Sequence, residues 1–232
     1  MTPPARGPLL ALDTATNRTV VALERPDAPP VVAAWPAGQR HGEELLAAID
    51  GLLQRAGVAP GELGGIVVGT GPGAFTGLRV GLATAKGLAH ALAVPIVGIA
   101  TAAALLAPGA ATDRDPPGRP VRSRALLLPA GPRDRVLVDG DGARLVPFGA
   151  EPTIAPGTEL LAVDLAGRAP ADALERGAEA CLRLGATLLR LAGARLDAGD
   201  ADDLARLVPE YVSLPRGVSA MTGTIEWSRD PR

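Results

Sequence analysis

Between Val68 and Lys86 the chain reads VGTGPGAFTGLRVGLATAK, and no other stretch restricts the fold so tightly. An apolar β-branched run, Ile66-Val67-Val68, meets a loop with glycines at 69, 71 and 73 and a proline at 72. A helix is expected to follow from about Thr76 to 93. Strand, glycine loop and helix in that order gather backbone N–H groups at a helix N-terminus, where an anion or a close partner can sit. Gly71, Pro72, Gly73, Thr76 and Gly77 are the residues that set this loop.

The loop alone does not make a nucleotide site. Gly69-Thr-Gly-Pro-Gly-Ala fits the loose form of a dinucleotide fingerprint, which needs an acid at the end of the next strand to hold a ribose. That strand reads Val97-Gly-Ile-Ala-Thr, and the next acid is Asp113. Pro72 removes one N–H from the cradle. No Gly-Lys-Ser/Thr follows, so the loop is not a P-loop. The plain alternative is a tight turn that lets a strand enter a helix.

The helix is more informative. Gly77, Gly81, Ala85 and Ala89 recur every four residues and form a ridge of minimal side chains, which lets another backbone approach. Leu78, Leu82, Leu88 and Leu92 flank the ridge, and Arg79, Lys86 and His90 share one narrow sector. Lys86 is the single lysine among 23 basic residues. A helix this apolar has to be buried on more than one side. One side meets a sheet. The other meets either the neighbouring helix, predicted over 41–56, or a second protein.

The remaining elements are read from periodicity and turn residues. Leu9–Leu12, Thr19–Leu23 and Val31–Ala34 are predicted as antiparallel strands, 65–69 and Pro95–Ile99 as further strands. This β-β-β-α-β-α-β order implies a mixed sheet covered by helices, an α/β fold. Residues 107–122 are rich in Pro, Gly and charge and read as a linker. Beyond it, Ala125–Leu128, Arg135–Asp139 and Leu160–Val163 are predicted strands, with a turn at Asp139-Gly-Asp-Gly. Residues 171–196 are predicted as a long helix and 200–207 as a shorter one. Four segments follow: 1–106, a linker 107–122, a second subdomain 123–216, and an aperiodic tail 217–232 expected to be flexible.

Composition excludes several classes. Of 232 residues, 47% are hydrophobic but only 2% aromatic, so the core is built from Leu, Val and Ala. A net charge of −2 offers no basic footprint for gripping nucleic acid. No leader pattern opens the sequence and no span suits a membrane. Cys181, the single cysteine, sits in an apolar helical region and is expected to be an inert buried thiol. His41 has no second ligand one turn on, since position 45 is Leu, so no metal centre is expected. Asp13-Thr14, directly after the first strand, stands where actin-like ATPases carry a metal- or phosphate-directed acid, although an aspartate in a turn needs no such role.

Taken together, Leu10-Ala-Leu-Asp-Thr-Ala, His41-Gly-Glu-Glu-Leu-Leu, Gly69-Thr-Gly-Pro-Gly-Ala-Phe-Thr-Gly-Leu-Arg-Val-Gly, Ala85-Lys-Gly-Leu-Ala and Pro95-Ile-Val-Gly-Ile resemble the TsaB (YeaZ) family in order and spacing. The likeness covers residues 8–106, and Pro209-Glu-Tyr-Val resembles the family's C-terminal Pro-x-Tyr signature. The chain departs from the pattern in having Ala74 where Ser is usual, and in the degraded segment Leu128-Pro-Ala-Gly-Pro-Arg. The resemblance implies an actin-like (ASKHA) fold of two subdomains, each with a mixed sheet flanked by helices. It implies a cytoplasmic, non-catalytic dimerisation subunit of the complex that transfers a threonylcarbamoyl group to the tRNA adenosine beside the anticodon. The implied partners are a TsaD-like catalytic subunit and a TsaE-like ATPase, with a homodimer when the catalytic partner is absent and tRNA met only through the complex. No cofactor is expected on this chain alone; ATP or ADP would sit at the interface of the complex. Helices 41–56 and 76–93 would form that interface, with His41, Leu45, Ile49, Leu52, Arg79, Leu82 and Lys86 facing the partner and Asp13, Thr14 and Gly81 supporting the loop. The rival reading is a metal-independent peptidase-like or kinase-like enzyme of the same fold.

Overall fold

A computed structural model describes residues 7–37, 41–108 and 123–211. Three strands open the chain as a meander: β1 (Leu9–Asp13), β2 (Arg18–Arg25) and β3 (Ala28–Pro36). Then come α1 (His41–Ala56), β4 (Gly65–Gly69), α2 (Phe75–Leu92), β5 (Ile96–Ile99) and α3 (Thr101–Leu106). The second half contains β6 (Arg124–Ala130), β7 (Asp134–Asp139), β8 (Gly142–Val146), β9 (Glu159–Ala162) and α4 (Ala171–Asp197).

The first sheet has the order β3-β2-β1-β4-β5 and the second β8-β7-β6-β9. In each, a meander of antiparallel strands continues into parallel ones: β1 pairs with β4, β4 with β5, and β6 with β9 in parallel. Strand register explains why β1 is buried along its whole length. Leu9 and Ala11 face one core and Leu10 and Leu12 the other, as strand alternation requires. On one side α1 and α2 cover the sheet. On the other, α3 and α4 fill the space between the two sheets, where Leu184, Leu188 and Leu189 meet Val20, Ala22, Leu126 and Leu161. A helical layer between two mixed sheets, with helices outside, is the α/β actin-like architecture expected.

Glycines let α4 come close to both sheets. A Cβ at Gly177 would collide with the Ala162 carbonyl of β9, and one at Gly185 would press on Val20 and Ala22 of β2.

Some expectations are corrected. α3 stands at the end of the first half, where no helix was expected, and β8 forms the outer strand of the Asp139–Gly142 hairpin. Residues 200–207 do not form a helix. Asp202 pairs in antiparallel fashion with Ile96, and its carboxylate accepts the Gly98 N–H at 2.7 Å, so backbone and side chain are both committed to β5. Only one turn closes after it, Leu207 N–H to Asp203 carbonyl at 3.0 Å, before Pro209. The tail 217–232 and most of the linker, 109–122, lie outside the described residues. Among the described residues, no helix is long and apolar enough to cross a membrane.

Candidate functional site

The glycine loop is fastened from beneath by the turn after β1. Asp13 is fully buried; its Oδ1 accepts the Ala15 N–H at 2.9 Å and its Oδ2 the Thr101 hydroxyl at 2.6 Å. The Thr101 oxygen in turn accepts the Gly71 N–H at 3.0 Å. The end of β1, the glycine loop and the start of α3 are thereby tied at one carboxylate. Burial pushes the Asp13 carboxyl above its ordinary 3.8, against the pull of the Thr101 and Ala15 hydrogen bonds, and nearby Asp164 adds to the rise. A Cβ at Gly69 would run into this carboxylate, so only glycine admits it there. Asp13 does not reach the neighbouring cleft. Its observed work is to lock the turn.

Thr14 explains the small-residue ridge. Its hydroxyl donates to the Gly77 carbonyl at 2.7 Å, and a Cβ at Gly77 or Gly81 would collide with the Thr14 carbonyl or hydroxyl. Gly73 lies just as close to the Ala15 carbonyl, while Ala74 N–H donates to that oxygen at 2.7 Å. The ridge at Gly77, Gly81, Ala85 and Ala89 is therefore buried inside this chain. The backbone it admits is the β1–β2 turn, not a second protein.

Four of the seven residues expected at the partner surface are corrected for the same reason. Leu45, Ile49, Leu52 and Leu82 belong to the core between the first sheet and helices α1 and α2. They lie on the inner stripe of each helix because that stripe carries the aliphatic side chains.

Arg79 and Lys86 are outside, and both serve the chain's own C-terminal segment. Arg79 Nε donates to the Tyr211 hydroxyl at 3.0 Å, and its guanidinium stacks 3.8 Å from the Phe75 ring centroid. Phe75 and Tyr211 lie 5.2 Å apart. Lys86 Nζ donates to the Leu207 carbonyl at 3.2 Å and reaches the Ala205 carbonyl at 3.5 Å. Its four-carbon stem and rotatable ammonium suit two carbonyls better than a planar guanidinium would. The rest of this strap is fastened by Arg195, which pairs with Asp202 at 3.1 Å, and by Glu210, which accepts the Thr70 hydroxyl at 2.7 Å while its N–H donates to the Thr70 carbonyl at 2.8 Å. Thr70, Thr101, Arg195, Asp202 and Glu210 were not singled out from sequence. Their only signal was the Pro209-Glu-Tyr segment, because side chains that join separate elements, up to 140 positions apart for Thr70 and Glu210, leave no local pattern.

α1 begins at His41 and α2 at Phe75, one residue before the expected Thr76. The outward face of α2 presents Thr76, Val80, Ala83, Thr84, Gly87, Leu88 and Ala91. On α1, Leu46 is 54% exposed. Lys86, the one charge in the middle of this stretch, is drawn aside by the strap. Past the N-terminus of α2, a cleft of about 810 Å³ opens between the glycine loop and the β6–β7 turn. Among the described residues, no group of three or more His, Cys, Asp and Glu is placed to hold a metal.

Residues 33–165, more than half the chain, match the family model described as TsaD: tRNA N6-adenosine threonylcarbamoyltransferase. A similar protein, named tRNA threonylcarbamoyladenosine biosynthesis protein TsaB, from Bacillus subtilis is 36% identical over 103 residues, 44% of each chain. The protein of the same name from Escherichia coli K12 is 34% identical over 94 residues, 40% of each. The chain thus spans less than half the length of the curated relatives it matches. Among solved structures, YeaZ from Pseudomonas aeruginosa superposes with a TM-score of 0.64 at 24% identity, covering 89% of this chain and 100% of that one, which supports the fold. The chain belongs to the matched family, on its TsaB (YeaZ) branch.

Proposed function

We propose that this chain is a non-catalytic, activating subunit of the cytoplasmic machinery that transfers a threonylcarbamoyl group to N6 of the tRNA adenosine beside the anticodon. The observation that carries this reading is the outer face of α2. Over four turns it exposes the small, uncharged residues Thr76, Ala83, Gly87 and Ala91, edged by the half-buried Val80, Thr84 and Leu88, and on α1 Leu46 is exposed as well. A solvated helix face ordinarily carries charge, and an uncharged one is the face of an interface. A TsaD-like catalytic subunit is its occupant, a second copy takes the place when that subunit is absent, and a TsaE-like ATPase joins the assembly. Arg79 and the strap form one border of the surface, and His41 marks the start of the adjoining helix.

Two further features support a subunit rather than an enzyme. Asp13, at the position of a phosphate- or metal-directed acid, spends its lone pairs on Thr101 and Ala15. The net charge of −2 gives no electrostatic hold on tRNA, so tRNA is met through the complex. ATP or ADP then belongs at the interface with the partner.

The test is reconstitution. The chain and the TsaD-like subunit of the same organism should co-elute in size exclusion. With ATP, threonine, bicarbonate and tRNA present, the modified nucleoside should form only when both are supplied with the ATPase. Turnover by this chain alone overturns the reading in favour of an enzyme.

A further inference from the structure

A second pocket, of about 520 Å³, lies between the end of the β1–β2 turn, the segment after β9 and the first half of α4. Neither the glycine loop nor α2 contributes to it. It shares only Asn17 and Asp164 with the cleft beside that loop. Its volume is that of a small-molecule site. The walls are mostly apolar. Leu165 is fully buried at the pocket, Leu174 is half-buried, and Leu182 is 71% exposed although Leu184, Leu188 and Leu189 of the same helix are buried.

Two opposite charges line these apolar walls. The half-buried Arg18 has no hydrogen-bond or ion-pair partner for its guanidinium among the described residues. Asp164 stands in the left-handed region at φ 59, a conformation that aspartate tolerates and that gathers at binding sites. Its Oδ2 accepts the Asn17 N–H at 2.7 Å, while its Oδ1 accepts no hydrogen bond from the described residues. Burial raises the Asp164 carboxyl above its ordinary 3.8, so a cation brought beside it would be welcome. The Cys181 thiol, also at the pocket, feels both the Asp164 carboxylate and the Arg18 guanidinium, which places the two charges within electrostatic reach of one atom.

Charge narrows the ligand. A guanidinium without a partner takes a carboxylate, with two parallel N–H donors to its two oxygens. A simple aliphatic acid bound there would also meet Asp164, which repels it, and an amine alone would meet Arg18. A zwitterion satisfies both. The structure assigns this pocket to a free α-amino acid with an apolar side chain, its carboxylate on Arg18, its ammonium on Asp164 Oδ1 and its side chain against Leu165, Leu174 and Leu182.

This inference does not depend on the partner reading, and the two fail separately. The test is calorimetric titration of the full chain with L-leucine, with isocaproate, which lacks the ammonium, and with isoamylamine, which lacks the carboxylate. Saturable binding of L-leucine is expected, with both analogues weaker. Arg18→Ala removes a guanidinium that holds nothing else in place. Checked for folding by circular dichroism, it should raise the Kd for L-leucine by about tenfold, the loss of one charge-assisted contact. Asp164→Asn keeps an oxygen for the Asn17 N–H and tolerates the left-handed backbone. It should abolish the preference for L-leucine over isocaproate. Absence of saturation by L-leucine at millimolar concentration, isocaproate binding as tightly as L-leucine to the parent chain, or unchanged affinity in folded Arg18→Ala each overturns the assignment.

Discussion

The Thr14 hydroxyl donates to the Gly77 carbonyl at 2.7 Å, joining the first turn of α2 to a residue 63 positions earlier. The contact exists because neither Gly77 nor Gly81 places a Cβ between helix and turn. It converts a ridge that resembles a docking face into an internal seam, and it gives glycines of one helix opposite mutational signs.

Gly77→Ala should destabilise the protein by about 1–3 kcal/mol, because its Cβ meets the backbone carbonyl of Thr14. Gly87→Ala, on the same helix with nothing within 4 Å of the new methyl, should stabilise it by about 1 kcal/mol through helix propensity. Urea unfolding midpoints read both, and equal shifts would refute the seam.

For the partner surface, Ala83→Arg is the sharper probe. Ala83 is exposed, so the monomer's melting temperature should stay within about 0.5 kcal/mol equivalent of the parent. Co-elution with the catalytic subunit should be lost. Retained co-elution removes α2 from the interface.

The strap hangs on Asp202, whose carboxylate accepts the Gly98 N–H and pairs with Arg195. Asp202→Ala leaves that N–H and the guanidinium short of a partner and should cost about 1.5–3 kcal/mol. Hydrogen exchange should speed up first across residues 200–211, while β1 and β4 stay protected. Uniform acceleration would mean that the strap is not a separate unit.

The pH dependence follows from Asp13. Its native carboxyl titrates above 3.8, mainly through burial, so between that value and its native one the folded state holds more protons than the unfolded. Its stabilising share is complete below the unfolded value and lost as pH rises through the native one. Asp13→Asn removes the titration, so the melting-temperature difference between variant and parent should move in favour of the variant with rising pH. A constant difference from about pH 4 to about pH 8 would contradict this.

Cys181 is buried, and desolvation together with Asp164 and Asp13 pushes its thiol up to about 12. The native protein should therefore react with iodoacetamide far more slowly than the urea-unfolded chain at neutral pH. Comparable rates would show that the helix surface around it opens readily.

Much of the first half was legible because its signals are local. β-branched runs, turn residues and the aliphatic stripe of α1 lie within a few residues of one another, and β1, β4, α1 and α2 come out within a residue or so of expectation. The orientation of α2 was not legible. Both its faces are poor in charge, and only the position of Thr14 tells which one turns inward. The roles of Arg79 and Lys86 were hidden likewise, since their acceptors lie near residues 205–211, and the false helix at 200–207 arose because Asp202 looks like any polar residue until β5 stands beside it.

The helix shared by both sheets has a mechanical consequence. Gly177 seats α4 against the Ala162 carbonyl of one sheet and Gly185 seats it against β2 of the other, two turns apart on one rigid rod. Neither sheet can tilt without dragging that rod through its neighbour's side chains. That packing couples the two halves, so any change in the width of the gap between them has to move α4 as well.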